Sequence, residues 1–133
     1  MFTAVSHEIV VSVEPSYLPA ESEPDEHRYV WSYRVVIANH GRRAVQLMTR
    51  FWEITDANGL RRTVTGPGVV GQQPIIEPGE AFEYTSGCPL STPSGLMSGS
   101  YRMVDDRGTT LEAALPAFPP DSPWQTEFEE RFG

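Results

Sequence analysis

Hydrophobic and polar residues alternate with a period of two over most of this chain, and that period predicts strands rather than helices. The clearest case is Arg28–Asn39, where Tyr29, Trp31, Tyr33, Val35 and Ile37 fall on one face and Ser32, Arg34 and Ala38 on the other. Residues 2–13, FTAVSHEIVVSV, are rich in β-branched side chains and predict a first strand. Ala44–Thr55 predicts another, with Val45, Leu47 and Phe51 on one face and Met48, Trp52 and Ile54 on the opposite one. Apolar residues on both faces imply a strand covered on both sides. Asp56-Ala57-Asn58-Gly59 is a strong hairpin signal, because Asn-Gly accepts the left-handed conformations of a tight turn. It returns the chain as Leu60–Thr65. Further strands are expected at Ala81–Thr85, Ser100–Val104 and Thr109–Leu115, with turns at Glu77-Pro78-Gly79-Glu80 and Asp105-Asp106-Arg107-Gly108.

The connections carry the prolines. EPSYLPAESEPDEH, residues 14–27, excludes a helix and predicts a mobile connection or a sheet edge. Pro116 and the prolines at 119, 120 and 123 are expected to end regular pairing, and Trp124–Gly133 is open between a short helix and a frayed end. About seven short strands with turns between them, and no helical period, predict an all-β antiparallel β-sandwich of immunoglobulin-like type. Its core is expected to hold Trp31, Val35, Phe51, Phe82, Tyr101 and Met103, and truncation of Phe51 should cost roughly 3–5 kcal/mol. Tyr101-Arg102-Met103 resembles the entry to the sixth strand of such domains, where a tyrosine hydroxyl bonds back to the corner backbone.

Composition adds limits. With 133 residues and 39% hydrophobic content, the chain is one domain with an adequate core, here taken as residues 1–120, followed by an acidic C-terminal tail at 121–133. No apolar run approaches the roughly 20 residues of a membrane helix, and the N-terminus has no basic region ahead of an apolar one, so neither a span nor a signal peptide is expected. A single cysteine, Cys88, fits a reducing compartment. The net charge of −8 makes general nucleic-acid binding a poor expectation. All basic residues are arginines, and between Arg28 and Arg62 they outnumber the acids, leaving an anion-attracting face around Arg42, Arg43, Arg61 and Arg62 open.

Candidate chemistry centres on Gly66–Met103, which holds most of the chain's 11 glycines. Gly66-Pro67-Gly68-Val69-Val70-Gly71 fits G-x-G-x-x-G, the dinucleotide fingerprint. That fingerprint needs a helix starting within it, and Pro74 and Pro78 exclude one. What survives is a weaker reading, in which the amides of Gly66, Gly68 and Gly71 form an anion-holding nest near Arg61 and Arg62. The glycines otherwise let a long loop cross closely over the end of a sandwich. His7, His27, His40, Asp25 and Glu26 are the candidate metal ligands, but no metal-binding spacing occurs. Cys88, followed by a proline, lacks a nucleophile's setting and is expected to be buried and inert. No catalytic set and no cofactor site is read from the sequence.

GPGVVGQQPIIEPGEAFEYTSGCPLSTPSGLMSGSYRMVDDRG closely resembles the signature of the ApaG family, a domain of unknown function. The resemblance extends back through YVWSYRVVIANHGRRAVQLMTRFWEITDANG and forward to Leu115-Pro116-Ala117-Phe118. It covers about residues 3–119 and departs from the family at Pro119, Pro120 and the acidic tail. It implies an ApaG-like sandwich of immunoglobulin or fibronectin type III type in a free-standing, cytoplasmic bacterial protein. The same domain is found in eukaryotic F-box proteins and a polymerase-interacting protein, which implies an interaction module. Bacterial members are associated with a diadenosine tetraphosphate hydrolase by gene neighbourhood and with cobalt and magnesium efflux by phenotype; no catalytic residues come with the family.

Three functions follow as expectations. The first is a non-enzymatic binding module for a protein partner, monomeric or weakly dimeric. The second is weak anion or nucleotide (pyrophosphate) binding through the Gly66–Gly71 loop with Arg61 and Arg62. The third is a role linked to divalent cobalt or magnesium.

Overall fold

The computed structural model describes residues 1–120; the acidic segment 121–133, and with it the choice between helix and frayed end there, lies outside the described residues. The described chain is an antiparallel β-sandwich. One sheet runs β1-β2-β3-β7, with β1 at Phe2–Ser6, β2 at Ile9–Tyr17, β3 at Tyr29–Asn39 and β7 at Ala81–Leu90. The other runs β5-β4-β8-β9, with β4 at Val45–Asp56, β5 at Arg61–Pro67, β8 at Gly95–Asp105 and β9 at Thr110–Phe118. A two-residue strand, β6 at Ile75–Ile76, pairs with the start of β4. Nine strands thus stand where about seven were expected, and the strand order is that of an immunoglobulin or fibronectin type III-like sandwich.

One of the additional breaks has a local cause. Residues 2–13 are two strands, not one, because His7 and Glu8 both adopt positive φ and fold the chain into a hairpin. Neither residue is glycine or asparagine, so the turn left no signature. Residues 14–27 are more ordered than a mobile connection: β2 continues to Tyr17, and two three-residue 3-10 turns follow, each begun by a proline. Ser22 ties this segment down, donating to the Leu18 carbonyl at 2.8 Å and accepting from the Val30 amide at 2.9 Å.

The larger correction concerns β4. Its register against β8 shifts between Leu47 and Thr49, leaving Met48 as the extra residue of a bulge. The bulge inverts the alternation, so Val45 and Leu47 before it and Trp52 and Ile54 after it all bury on the same face. β4 is therefore covered on one side, not two. Phe51, expected in the core, lies on the outer face with 39% of its surface exposed, beside Thr49, Thr65 and Arg102. Trp31, Val35, Tyr101 and Met103 are fully buried as expected, and Phe82 is half-buried against the core.

Proline does not end the strands where expected. β7 runs on through Gly87-Cys88-Pro89 to Leu90, and β9 runs through Pro116 to Phe118. Both are edge strands, where a missing amide need break no ladder bond, and in β9 a second register shift accommodates Pro116. That extension carries Phe118 into the core, where it touches Phe2, Tyr33 and Trp52.

The two flanks of the sandwich differ. On one, β1 and β9 close over each other: the rings of Phe2 and Phe118 lie 6.0 Å apart, and the Ala114 amide donates to the Ser6 hydroxyl at 3.1 Å. On the other, the edges of β7 and β5 stand apart and leave a cleft between the sheets. Neither of these two edges has a further strand partner among the described residues.

Candidate functional site

The glycine-rich stretch is a short hairpin at the end of β5. Val69 and Gln72 exchange amide–carbonyl bonds in both directions at 2.8 Å, enclosing Val70 and Gly71. Those two residues have φ of 43 and 78, the left-handed pair a type I′ turn requires. Each glycine of the pattern has a structural cause. A Cβ on Gly68 would sit 2.1 Å from the Gln72 carbonyl oxygen, and its φ is 61. A Cβ on Gly66 would press on the Arg50 guanidinium at 3.1 Å, so this glycine is the seat on which Arg50 rests. The amides of Gly68, Val69 and Gln72 donate to the carbonyls of Met48, Gln72 and Val69, so these three point at protein and not into a concavity.

The loop instead forms one end of the cleft on the open flank. The cleft has a volume of about 370 Å³, within the range of small-ligand sites. Its floor is apolar: Trp52 and Ile54 from β4, Val64 from β5, Met97 from β8 and Val69 from the loop. Tyr33 from β3 and Tyr84, Ser86 and Cys88 from β7 form the opposite wall. Two cations face it, Arg50 and Arg62, and no carboxylate or histidine lines it among the described residues.

The bulge at Met48 is what places Arg50 there. After the inversion Arg50 shares the inward face with Trp52 and Ile54, an unusual position for a charged side chain in a sandwich. It is half-buried, and its Nη1 donates to the carbonyls of Pro67 and Gly68, both at 3.0 Å. Arg62 reaches across the mouth from β5, its Nη2 3.4 Å from the Pro89 carbonyl of β7. Neither Arg50 nor Arg62 has a carboxylate partner within ion-pair distance among the described residues, whereas Arg61 pairs with Glu53 at 2.8 Å.

Burial tunes the other polar groups. It pushes the Cys88 thiol up, against a smaller downward pull from Arg62, so the sulfur is held as a thiol. Burial likewise raises the Tyr33 hydroxyl, against a smaller downward pull from neighbouring Ser86. Behind the wall the Tyr84 and Tyr101 hydroxyls bond each other at 2.6 Å, both raised chiefly by burial. Tyr101 therefore serves as an inter-sheet tie, not as the expected bond to a corner backbone. A neutral, buried thiol with no histidine or carboxylate lining its cleft among the described residues is not set up as a nucleophile.

Of the five residues nominated for an anion site, Gly71 and Arg62 line the cleft together. Gly66 supports Arg50, Gly68 shapes the hairpin, and Arg61 stands apart in its pair with Glu53. The nominated metal ligands are dispersed: His7 sits in the β1–β2 turn, the His40 amide donates to the Glu8 carbonyl, and Asp25, Glu26 and His27 close the second 3-10 turn. Among the described residues no group of three or more His, Cys, Asp or Glu side chains converges on a metal position. Sequence reasoning missed Arg50, Tyr33 and Ser86, which only the bulge and the pairing of distant strands bring together.

Comparison with known proteins agrees with the fold. The ApaG domain (DUF525) matches residues 19–105. Protein ApaG of Rhizobium meliloti (strain 1021) is 55% identical over 123 residues, spanning 92% of this chain and 95% of the relative. Protein ApaG of Brucella anthropi is 55% identical over 125 residues, covering 94% and 96%. Among solved structures, the putative ApaA protein of Bordetella pertussis superposes with a TM-score of 0.85 at 46% identity, covering 86% of this chain and 94% of that one. Two-thirds of the chain by family match and nearly all of it by identity converge on the same result. The chain belongs to the ApaG family.

Proposed function

We propose that the domain is a non-enzymatic binding module whose partner is a protein, received in the cleft on the open flank. The observation that carries this reading is the position of that cleft between two sheet edges, β5 and β7, that lack strand partners among the described residues. An extended segment laid along such an edge gains backbone hydrogen bonds, and an adjoining apolar pocket takes its side chains. The cleft offers binding surface without a nucleophile–base pair, since its thiol is neutral and no histidine or carboxylate lines it among the described residues.

The test is a photo-crosslinking residue at Val70, which is exposed on the rim of the cleft, introduced into the protein in its source cells. The reading predicts discrete protein adducts that vanish when Ser86→Leu fills the cleft. Ser86 is half-buried and lines the open space, so leucine there has room. Adducts that survive Ser86→Leu unchanged, or an absence of protein adducts, contradict it.

A further inference from the structure

We infer that the segment this cleft receives is acidic, an extended peptide that seats an aromatic or other apolar side chain on the floor and presents carboxylates to Arg62 and Arg50. The inference rests on the protein-binding reading above and adds the chemistry of the partner.

Charge distribution is the first argument. The protein carries a net charge of −8, yet among the described residues those lining the cleft include two arginines and no acid. Arg34, Arg43, Arg61 and Arg102 each pair with a carboxylate; of the arginines that pair with none among the described residues (Arg28, Arg42, Arg50, Arg62 and Arg107), Arg50 and Arg62 are the two that line this cleft. A half-buried guanidinium beside apolar walls keeps more of its attraction for an anion than a solvated one does. Carbonyl bonds satisfy one nitrogen of Arg50 and fix its plane without neutralising its charge. On a protein whose net charge is negative, an acidic segment entering this cleft meets two arginines on its lining.

Shape is the second argument. Arg62 lies at the mouth and Arg50 further along the cleft, by the glycine hairpin, with Trp52, Ile54 and Val64 forming floor between the sheets. A volume of about 370 Å³ holds one anchoring side chain and its neighbours' ends, not a folded surface. Opposed arginines flanking an apolar floor match a peptide in which carboxylates flank an aromatic residue. Arg62 must swing off the Pro89 carbonyl, a long 3.4 Å contact, to admit it.

A random displayed decapeptide library selected against the intact protein tests this directly. The expected result is enrichment of sequences with Asp or Glu flanking Phe, Tyr or Trp. Synthetic versions should lose affinity about tenfold on Glu→Gln replacement and by a similar factor on Arg62→Glu in the protein. Arg62 is exposed on an edge strand, so that variant keeps the fold; a retained near-ultraviolet circular dichroism spectrum verifies it. Arg50→Lys serves as a second variant that keeps the charge but loses the fork, with a smaller loss expected. Enriched sequences that are uncharged, or that bind Arg62→Glu equally, overturn the acidic inference and leave the protein-binding reading standing. If no peptide is enriched, both fall. If inorganic phosphate or benzoate displaces the peptides completely at micromolar concentration, the cleft is a small-anion site and the inference is likewise overturned.

Discussion

The hydroxyls of Tyr84, on β7, and Tyr101, on β8, meet at 2.6 Å between the two sheets with both side chains buried. The pair joins the sheets directly behind the cleft wall, so the spacing of that wall depends on it. Tyr101→Phe leaves the Tyr84 hydroxyl without this partner and should cost about 1–3 kcal/mol, while the double Phe variant should recover part of the loss. Urea titrations of Tyr84→Phe, Tyr101→Phe and the double variant check this. If the loss in the double variant equals or exceeds the sum of the two single losses, the pair is not coupled as described.

Exposure decides the roles of the adjacent aromatics on β4. Phe51→Ala should cost less than about 1 kcal/mol, because the ring lies on the outer face. Trp52→Ala should cost roughly 3–5 kcal/mol, since that ring packs on Tyr33 with centroids 4.7 Å apart and on Phe118. Equal losses in a denaturant titration would refute the bulge at Met48.

The glycines of the hairpin separate in the same way. Gly68→Ala forces a methyl against the Gln72 carbonyl at positive φ, and should destabilise by more than about 1 kcal/mol. Gly71→Asn meets no atom within 4 Å and should cost less than the ~1–2 kcal/mol of a typical left-handed residue, because asparagine tolerates that region. Thermal melts of both proteins measure the difference.

Asp105 supplies a pH dependence. Its carboxylate accepts the amides of Arg107 and Thr109, both at 2.9 Å, and these bonds hold it below the usual carboxylate range, the Thr109 amide contributing most. A folded value below the unfolded one stabilises the protein at pH above the unfolded Asp range. That contribution is lost as pH falls through the folded value. Asp105→Asn should therefore be less stable than the parent at neutral pH, and the gap should close in acid. A gap constant from neutral pH to below pH 3 would contradict this.

Much of the fold was legible because antiparallel pairing is written locally. The alternation in β3 and the Asn58-Gly59 turn need no knowledge of distant residues. The misreadings came where one residue changes phase or a tertiary constraint overrides preference. Met48 inverts β4 without any glycine or proline to announce it, and that inversion moved Phe51 out and Arg50 in. His7 and Glu8 turn the chain with side chains that ordinarily avoid positive φ. Pro89 and Pro116 stay in strands because those strands are edges, a property of the sheet order. The G-x-G-x-x-G pattern was correctly separated from a dinucleotide turn by its prolines. Its link to the cleft was invisible, because Arg62, Gly71 and Cys88 meet only through β5 and β7.

The most direct test of the account is an amide-resolved NMR titration of the protein with one selected acidic peptide, and in a parallel sample with pyrophosphate. The account predicts peptide-induced shifts at Arg50, Arg62, Val70, Gly71, Gly87 and Cys88, with the β1–β9 flank unmoved and only weak, salt-sensitive effects from pyrophosphate. Peptide shifts confined to the β1–β9 flank, or a saturable pyrophosphate response centred on Gly66, Gly68 and Gly71, would contradict it.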